Sequence, residues 1–299
     1  MKIVAKSKFD QNIYDKVLKG ANAIELHLDD DFIKNPMMWN EQIIKDVPII
    51  AVHAPLIEGK NDTNIEVFSN RQTLVKTCEF AKKIANTQGH RVTIICHLGT
   101  SPELLKKLGV YESLVFFVRD LANAYEDLDF AIENVVPLES GVYEHVALRA
   151  VEWNSSPKFV KDVAHPRVGT CLDTCHALMM IRFFECLSKY IDKRYDEYED
   201  FIRFGLESFF MENKDTIKWM HLAYTKTHGW GEDHGLPFTH LDAGYLKHIL
   251  WLYDKYEYSC PISLEVQEDN YSNALNFACT RNTLITCARE MLGEDIEII

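Results

Sequence analysis

The chain has 299 residues, 47% of them hydrophobic and 26% charged, with a net charge of −13 at pH 7. That length suits one large α/β domain, and the composition is enough for a globular core. The acidic balance argues against a partner gripped through phosphates, which needs clustered Lys and Arg, although local fields outweigh totals. No apolar run approaches about 20 residues, so no membrane-spanning helix is expected. The eight cysteines include strand positions such as Cys96 and Cys171, and no secretory apolar region opens the chain. Free thiols in a cytoplasmic protein are the expectation. Cys171 and Cys175 are four apart, which is not the tight spacing of a zinc knuckle.

In chain order, Lys2 to Lys6 reads as a first strand and Asp10 to Gly20 as a helix. The segment NAIELHL, Asn22 to Leu28, is a second strand that brings Glu25 and His27 to one face by parity, before an acidic loop, Asp29 to Asp31. IIAVHAP ends a third strand at His53. Glu66 to Gln88 is a long amphipathic helix stopped by Gly89, and VTIICHLG ends strand four at His97. A helix over Ser101 to Tyr125 leads into LDFAIEN and Glu133. Val135 to Ser156 reads as loop and short helix, and Pro157 to Ala164 as helix. RVGTCLDTCHA then delivers Asp173 and His176. An extended helical segment, Ala177 to Asp215, separates strands six and seven; its periodic apolar faces suit helices packed outside the main fold. TIKWMHL closes on His221, a Gly- and His-rich loop spans Lys226 to His240, PISLEVQ closes on Glu265, and Ala274 to Leu292 is a last helix.

Each β-branched run ends on a single His, Glu or Asp. Leu128, Phe130 and Ile132 share one strand face while Ala131 and Glu133 share the other; Ile262, Leu264 and Val266 likewise oppose Ser263 and Glu265. Parallel strands wrapped by helices, with polar groups at their C-terminal ends facing an axis, describe one (β/α)8 TIM barrel over residues 1–299 and its active-site mouth. Glu133, Asp173, His221 and Glu265 form a mixed O/N set suited to a divalent metal ion, Mn²⁺, Mg²⁺, Co²⁺ or Zn²⁺. Burying that much charge without a cation would be costly.

These motifs, VHAP, CHLG, IEN, LDTCHA, HLA, the Gly loop and SLEV, resemble in order the xylose isomerase-like TIM barrel superfamily. That superfamily includes sugar and sugar-phosphate isomerases and epimerases and the endonuclease IV family. The resemblance implies Glu133, Asp173, His221 and Glu265 as metal ligands, Glu133 and Glu265 as the acid/base pair, and His176 as a substrate contact. It implies a small-molecule sugar or sugar phosphate as partner, isomerised or epimerised through metal polarisation. The endonuclease branch, a zinc-dependent phosphodiesterase acting at abasic sites in DNA, adds further metal candidates: His53, His97, His176, His234 and, two and one residues before the last, Glu232 and Asp233. The family's acid normally stands two before that His, where this chain has Glu232.

The mouth loops favour the sugar enzyme. Asp29 to Asp31, Ala-Pro-Leu after His53 and Leu-Gly-Thr-Ser after His97 offer no cation to a duplex. Lys226 and Arg182 suffice for one phosphate. His27, Trp230 and Lys226 are substrate-binding candidates, with Trp39 and Tyr224 as further stacking surfaces. His228 and His240 are candidate proton shuttles, and Cys175 lines the site without ligating. A barrel that keeps the ligands but only binds or regulates is a third reading. Homo-oligomer formation is left open.

Overall fold

The computed structural model describes residues 1–10, 12–29, 32–33, 35, 39–55, 71–98, 106, 109–134, 155–179, 205–211, 213–226, 234–269, 273–294 and 296–298. The elements run β1 (Ile3–Lys8), α1 (Ile13–Leu18), β2 (Ile24–His27), α2 (Glu41–Asp46), β3 (Ile49–His53), α3 (Arg71–Gln88), β4 (Val92–His97), α4 (Tyr111–Ala124), β5 (Leu128–Glu133), α5 (Ser155–Val163), β6 (Val168–Asp173), β7 (Ile217–Leu222), α6 (Ala243–Lys255), β8 (Ile262–Leu264) and α7 (Leu275–Leu292). Short helical segments also occupy 174–179 and 205–211. The eight strands form a closed barrel in sequence order, β1 pairing with β8. Every strand pair is parallel. This is the (β/α)8 barrel expected from the alternation.

The strand parity decides where everything sits. Outward residues such as Ile94, Leu128, Phe130 and Leu172 are fully buried in the apolar layer between strands and helices. The inward faces start with a second, smaller cluster of Val4, Ala23, Ala51, Ile95, Ala131, Cys171 and Trp219. Most of these are small because a barrel of eight strands leaves an interior only wide enough for side chains to fill it. Trp219 is the one aromatic member of that cluster and is buried.

The predicted helix over Ser101 to Tyr125 is interrupted at Gly109: Lys106 is helical, while 101–105 and 107–108 lie outside the described residues. Gly109 adopts φ +70°, the left-handed region that glycine enters without a Cβ clash; α4 begins only at Tyr111. Gly89, at φ +72°, ends α3 as expected. Much of the predicted 177–215 helical segment lies outside the described residues. No helix among the described residues is long and apolar enough to cross a membrane, and the described cysteines form no disulfide.

Candidate metal centre

Two residues above each member of the small inner cluster stands an ionisable side chain. Val4 is followed by Lys6, Ala23 by Glu25, Ala51 by His53, Ile95 by His97, Ala131 by Glu133, Cys171 by Asp173 and Trp219 by His221. Glu265 stands in the same relation to Ser263 of β8. Every strand therefore sends at least one ionisable group into the C-terminal end of the lumen, and β2 sends two, Glu25 and His27. The register sets His27 beside His53, His97 beside Glu133 and Asp173 beside His221.

Around His221 the ligand atoms converge. Its Nδ1 lies 2.9 Å from Glu265 Oε2, 3.3 Å from Glu133 Oε1 and 3.7 Å from Asp173 Oδ2. One atom from each of the four residues lies within 4.8 Å of all the others. Donors about 2.1 Å from an ion at tetrahedral angles sit about 3.4 Å apart, so the spacing fits a single ion. His221 Nδ1, Asp173 Oδ2 and Glu265 Oε2 are buried and have no well-formed hydrogen bond. Three orphaned atoms aimed at one point are what a cation would satisfy. With three oxygens and one nitrogen, the donor set fits a divalent ion, and the four sequence-predicted ligands are brought together.

Each ligand is held from behind. Asp173 Oδ1 accepts the His176 backbone N–H at 2.7 Å, leaving Oδ2 to the centre. Asn134 braces the same residue: its Oδ1 accepts the Asp173 N–H at 2.6 Å and its Nδ2 donates to the Asp173 carbonyl at 3.0 Å. Glu133 turns Oε2 toward His53 and His97, whose Nε2 atoms are 3.0 and 3.2 Å away. Glu265 Oε1 is held by the Lys6 ammonium at 2.6 Å. Behind His221, Nε2 is 3.0 Å from Glu25 Oε2, which also accepts Trp219 Nε1–H at 3.0 Å. A carboxylate on the far nitrogen of a metal-ligating His fixes its ring and raises its basicity.

The electrostatics follow from this packing. Burial works to raise the Glu25 carboxyl, but His221 and Lys6 outweigh it and bring it to about 2. Burial likewise works against Glu133 and Glu265; His97 and His221 hold the first, and Lys6 and His221 the second, well below the usual carboxylate range. Burial would lower His221, yet Cys171, Glu25 and Glu133 raise it well above its ordinary value. A raised folded value means that His221 stabilises the metal-free protein below its unfolded value of about 6.5, a contribution lost as pH rises through the folded one. A ligand at Nδ1 must displace that proton. Titrating the metal-free protein with Zn²⁺ near neutral pH is therefore expected to release a proton from His221, read in weakly buffered solution, with affinity rising as pH rises.

A second group of donors shares Glu133. His53, His97 and Glu133 also offer atoms within 4.8 Å of one another. His53 Nδ1 lies 2.8 Å from the Ala54 carbonyl while Nε2 faces Glu133, so both ring nitrogens meet acceptors. Burial first, and Lys6 second, lower the His53 value, and a neutral ring serves only one acceptor. His176 Nδ1 is 2.8 Å from the Asn134 carbonyl, and its ring is 5.3 Å from that of His234. His27 is 5.3 Å from His53, ring to ring, and burial, His53 and Lys6 bring it down to about 3.

Other expectations fare differently. Trp230, Glu232, Asp233, His228 and Arg182 lie outside the described residues. Lys226 is exposed, four residues past β7. Trp39 packs against Phe80 at 4.8 Å, ring to ring, on the outer helical layer, so it is not a stacking surface for a ligand at the mouth. Tyr224 pairs its backbone with Leu236 and its ring with Phe238 at 5.5 Å. Lys6 and Asn134 are supporting residues to which the sequence alone gives no role, and Trp219, which reads there as packing, also donates to Glu25. In KIVAKSK, Lys6 shares its parity with Val4, which is the local signal that could have found it.

Fold and side-chain cluster together define a (β/α)8 barrel with a carboxylate-rich cluster at its C-terminal mouth that could hold a metal ion. The family model described as xylose isomerase-like TIM barrel matches residues 20–287, and the chain belongs to that family. Solved structures share the fold at low identity. One is an IolI protein with a bound zinc atom, 16% identical, covering 97% of this chain and 99% of that one with a TM-score of 0.62. Another is the 3-keto-D-glucoside 4-epimerase YcjR from E. coli, 14% identical, with 96% and 98% covered and a TM-score of 0.58. A third is a D-allulose 3-epimerase from Methylomonas sp., 12% identical, with 97% and 98% covered and a TM-score of 0.57. No curated protein sequence matches this one.

Proposed function

We propose that this chain is a divalent-metal-dependent isomerase or epimerase of a sugar or sugar phosphate. The observation that carries this reading is the pair of glutamates, Glu133 and Glu265. Each offers one oxygen to the centre, while its other oxygen is held by the surrounding lumen. A divalent ion held by Glu133, Asp173, His221 and Glu265 supplies Lewis-acid polarisation of a carbonyl and its neighbouring hydroxyl, which acidifies the adjoining C–H. Glu133 and Glu265 remove and return the carbon-bound proton. His176, its Nδ1 2.8 Å from the Asn134 carbonyl, stands beside the centre as a substrate contact. His27 lines the same mouth, Lys226 follows β7 as a further candidate contact, and Trp230 is a candidate from the sequence alone. An exposed ammonium such as Lys226 suits a phosphate group. Two of the fold neighbours described above are epimerases by name, in keeping with this chemistry. The test is solvent deuterium incorporation at the carbon next to the carbonyl, followed by NMR across a panel of ketoses and their phosphates. Metal-dependent exchange on at least one sugar supports the reading; none on any sugar with the metal saturated contradicts it.

A second reading, zinc-dependent phosphodiester cleavage at abasic sites in DNA, is favoured by the His53, His97 and Glu133 group. His53→Ala separates the two. In a one-metal isomerase it is expected to cost about 1–3 kcal/mol of stability, through the lost partner of Glu133, and to leave turnover and metal content largely intact. In a multinuclear nuclease it would remove an ion and the activity with it.

A further inference from the structure

Lys6 is buried, 9% exposed, at the C-terminal end of β1. Its ammonium lies 2.6 Å from Glu265 Oε1 and 3.6 Å from Glu25 Oε1. Its backbone is itself anchored, since the Lys6 carbonyl accepts a hydrogen bond from the buried Lys16 ammonium at 2.6 Å. The lumen layer holds four carboxylates, Glu25, Glu133, Asp173 and Glu265, against the Lys6 ammonium. Four minus one leaves three negative charges, apart from the histidines, so a divalent ion is welcome there. Lys6 is nonetheless a cation sharing a carboxylate with that ion. The two charges compete for Glu265.

That competition has a chemical consequence. With Oε1 committed to Lys6, only Oε2 faces His221 Nδ1, at 2.9 Å. Released from Lys6, the carboxylate is free to turn both oxygens to the ion and to bind it more tightly. Gripped through both oxygens, the carboxylate would be less basic and turned from the substrate, whereas bound through Oε2 alone it keeps a lone pair on that oxygen for the substrate proton.

We propose that Lys6 is a positioning residue that restricts Glu265 to one oxygen at the metal, weakening metal binding while keeping Glu265 competent to exchange a proton with substrate. This rests on the isomerase reading above. The test is calorimetric titration of the metal-free protein with CoCl₂, together with the visible spectrum of the Co²⁺ form, for wild type, Lys6→Met, Lys6→Gln and Lys6→Arg. Removing a like charge beside a divalent ion in a poorly solvated site is expected to tighten Co²⁺ binding at least about tenfold in Lys6→Met and Lys6→Gln. Their spectra should change and their kcat should fall. Lys6→Arg, which keeps charge and donor, should stay near wild type in all three. If Lys6→Met does not fold, the Gln and Arg variants carry the comparison. Unchanged or weaker Co²⁺ binding in the uncharged variants, with a wild-type spectrum, would overturn the role given to Lys6 alone. Failure of the wild type to bind Co²⁺ would overturn both this role and the isomerase reading.

Discussion

Glu265→Gln is expected to lower kcat by about 10²- to 10⁴-fold, the usual contribution of a positioned acid/base group. The amide cannot accept the substrate proton. The surroundings sharpen the effect, because the Lys6 ammonium at 2.6 Å from Oε1 will select the amide oxygen. The amide NH₂ then faces His221 Nδ1 and the metal position, where it is no ligand. Metal affinity should fall as well, so kcat is to be compared at saturating metal, where Glu133, Asp173 and His221 still hold the ion. Sugar affinity should change little under those conditions. Turnover near the wild-type rate would remove Glu265 from the mechanism.

Metal removal should be nearly as visible in stability. A divalent ion present at a hundred times its Kd adds about 2.7 kcal/mol to the folded state. At about 2–4 °C per kcal/mol for a large domain, chelation is expected to lower Tm by roughly 5–10 °C, reversibly on adding the ion back. The gain should be smaller below neutral pH, since His221, held well above its ordinary value in the metal-free centre, must first give up its proton. Glu133→Ala and His221→Ala should each abolish the response. Scanning calorimetry with and without metal at two pH values measures all of this. A Tm indifferent to metal in the wild type would contradict the fit of the centre.

Much of this centre was legible before any coordinates. His53, His97, Glu133, Asp173 and His221 each close an apolar run, and strand parity alone sends them to the face opposite Phe130 or Leu172. Their relative heights were not legible. His97 lies level with Glu133 while Glu133 lies level with Cys171, one inner layer below Asp173; this stagger comes from closing the barrel, which no single strand encodes. Asn134 and Trp219 act through partners distant in sequence, Asp173 and Glu25, so neither shows a local signature. Lys6 has the right parity, but a lysine at the end of a strand reads as a solvated end until Glu265 is placed beside it. Trp39 failed in the opposite direction. Its ring alone suggests a stacking surface, and only the packing on Phe80 assigns it to the outer layer.

The most direct test is the metal content per chain of protein purified without added metal, by elemental analysis, for the wild type and for Glu133→Ala, Asp173→Ala and His221→Ala. One divalent ion per wild-type chain, lost or greatly depleted in all three variants, is the expected result. Two or three zinc ions per chain, or none after saturation and desalting, would contradict a one-metal sugar isomerase or epimerase.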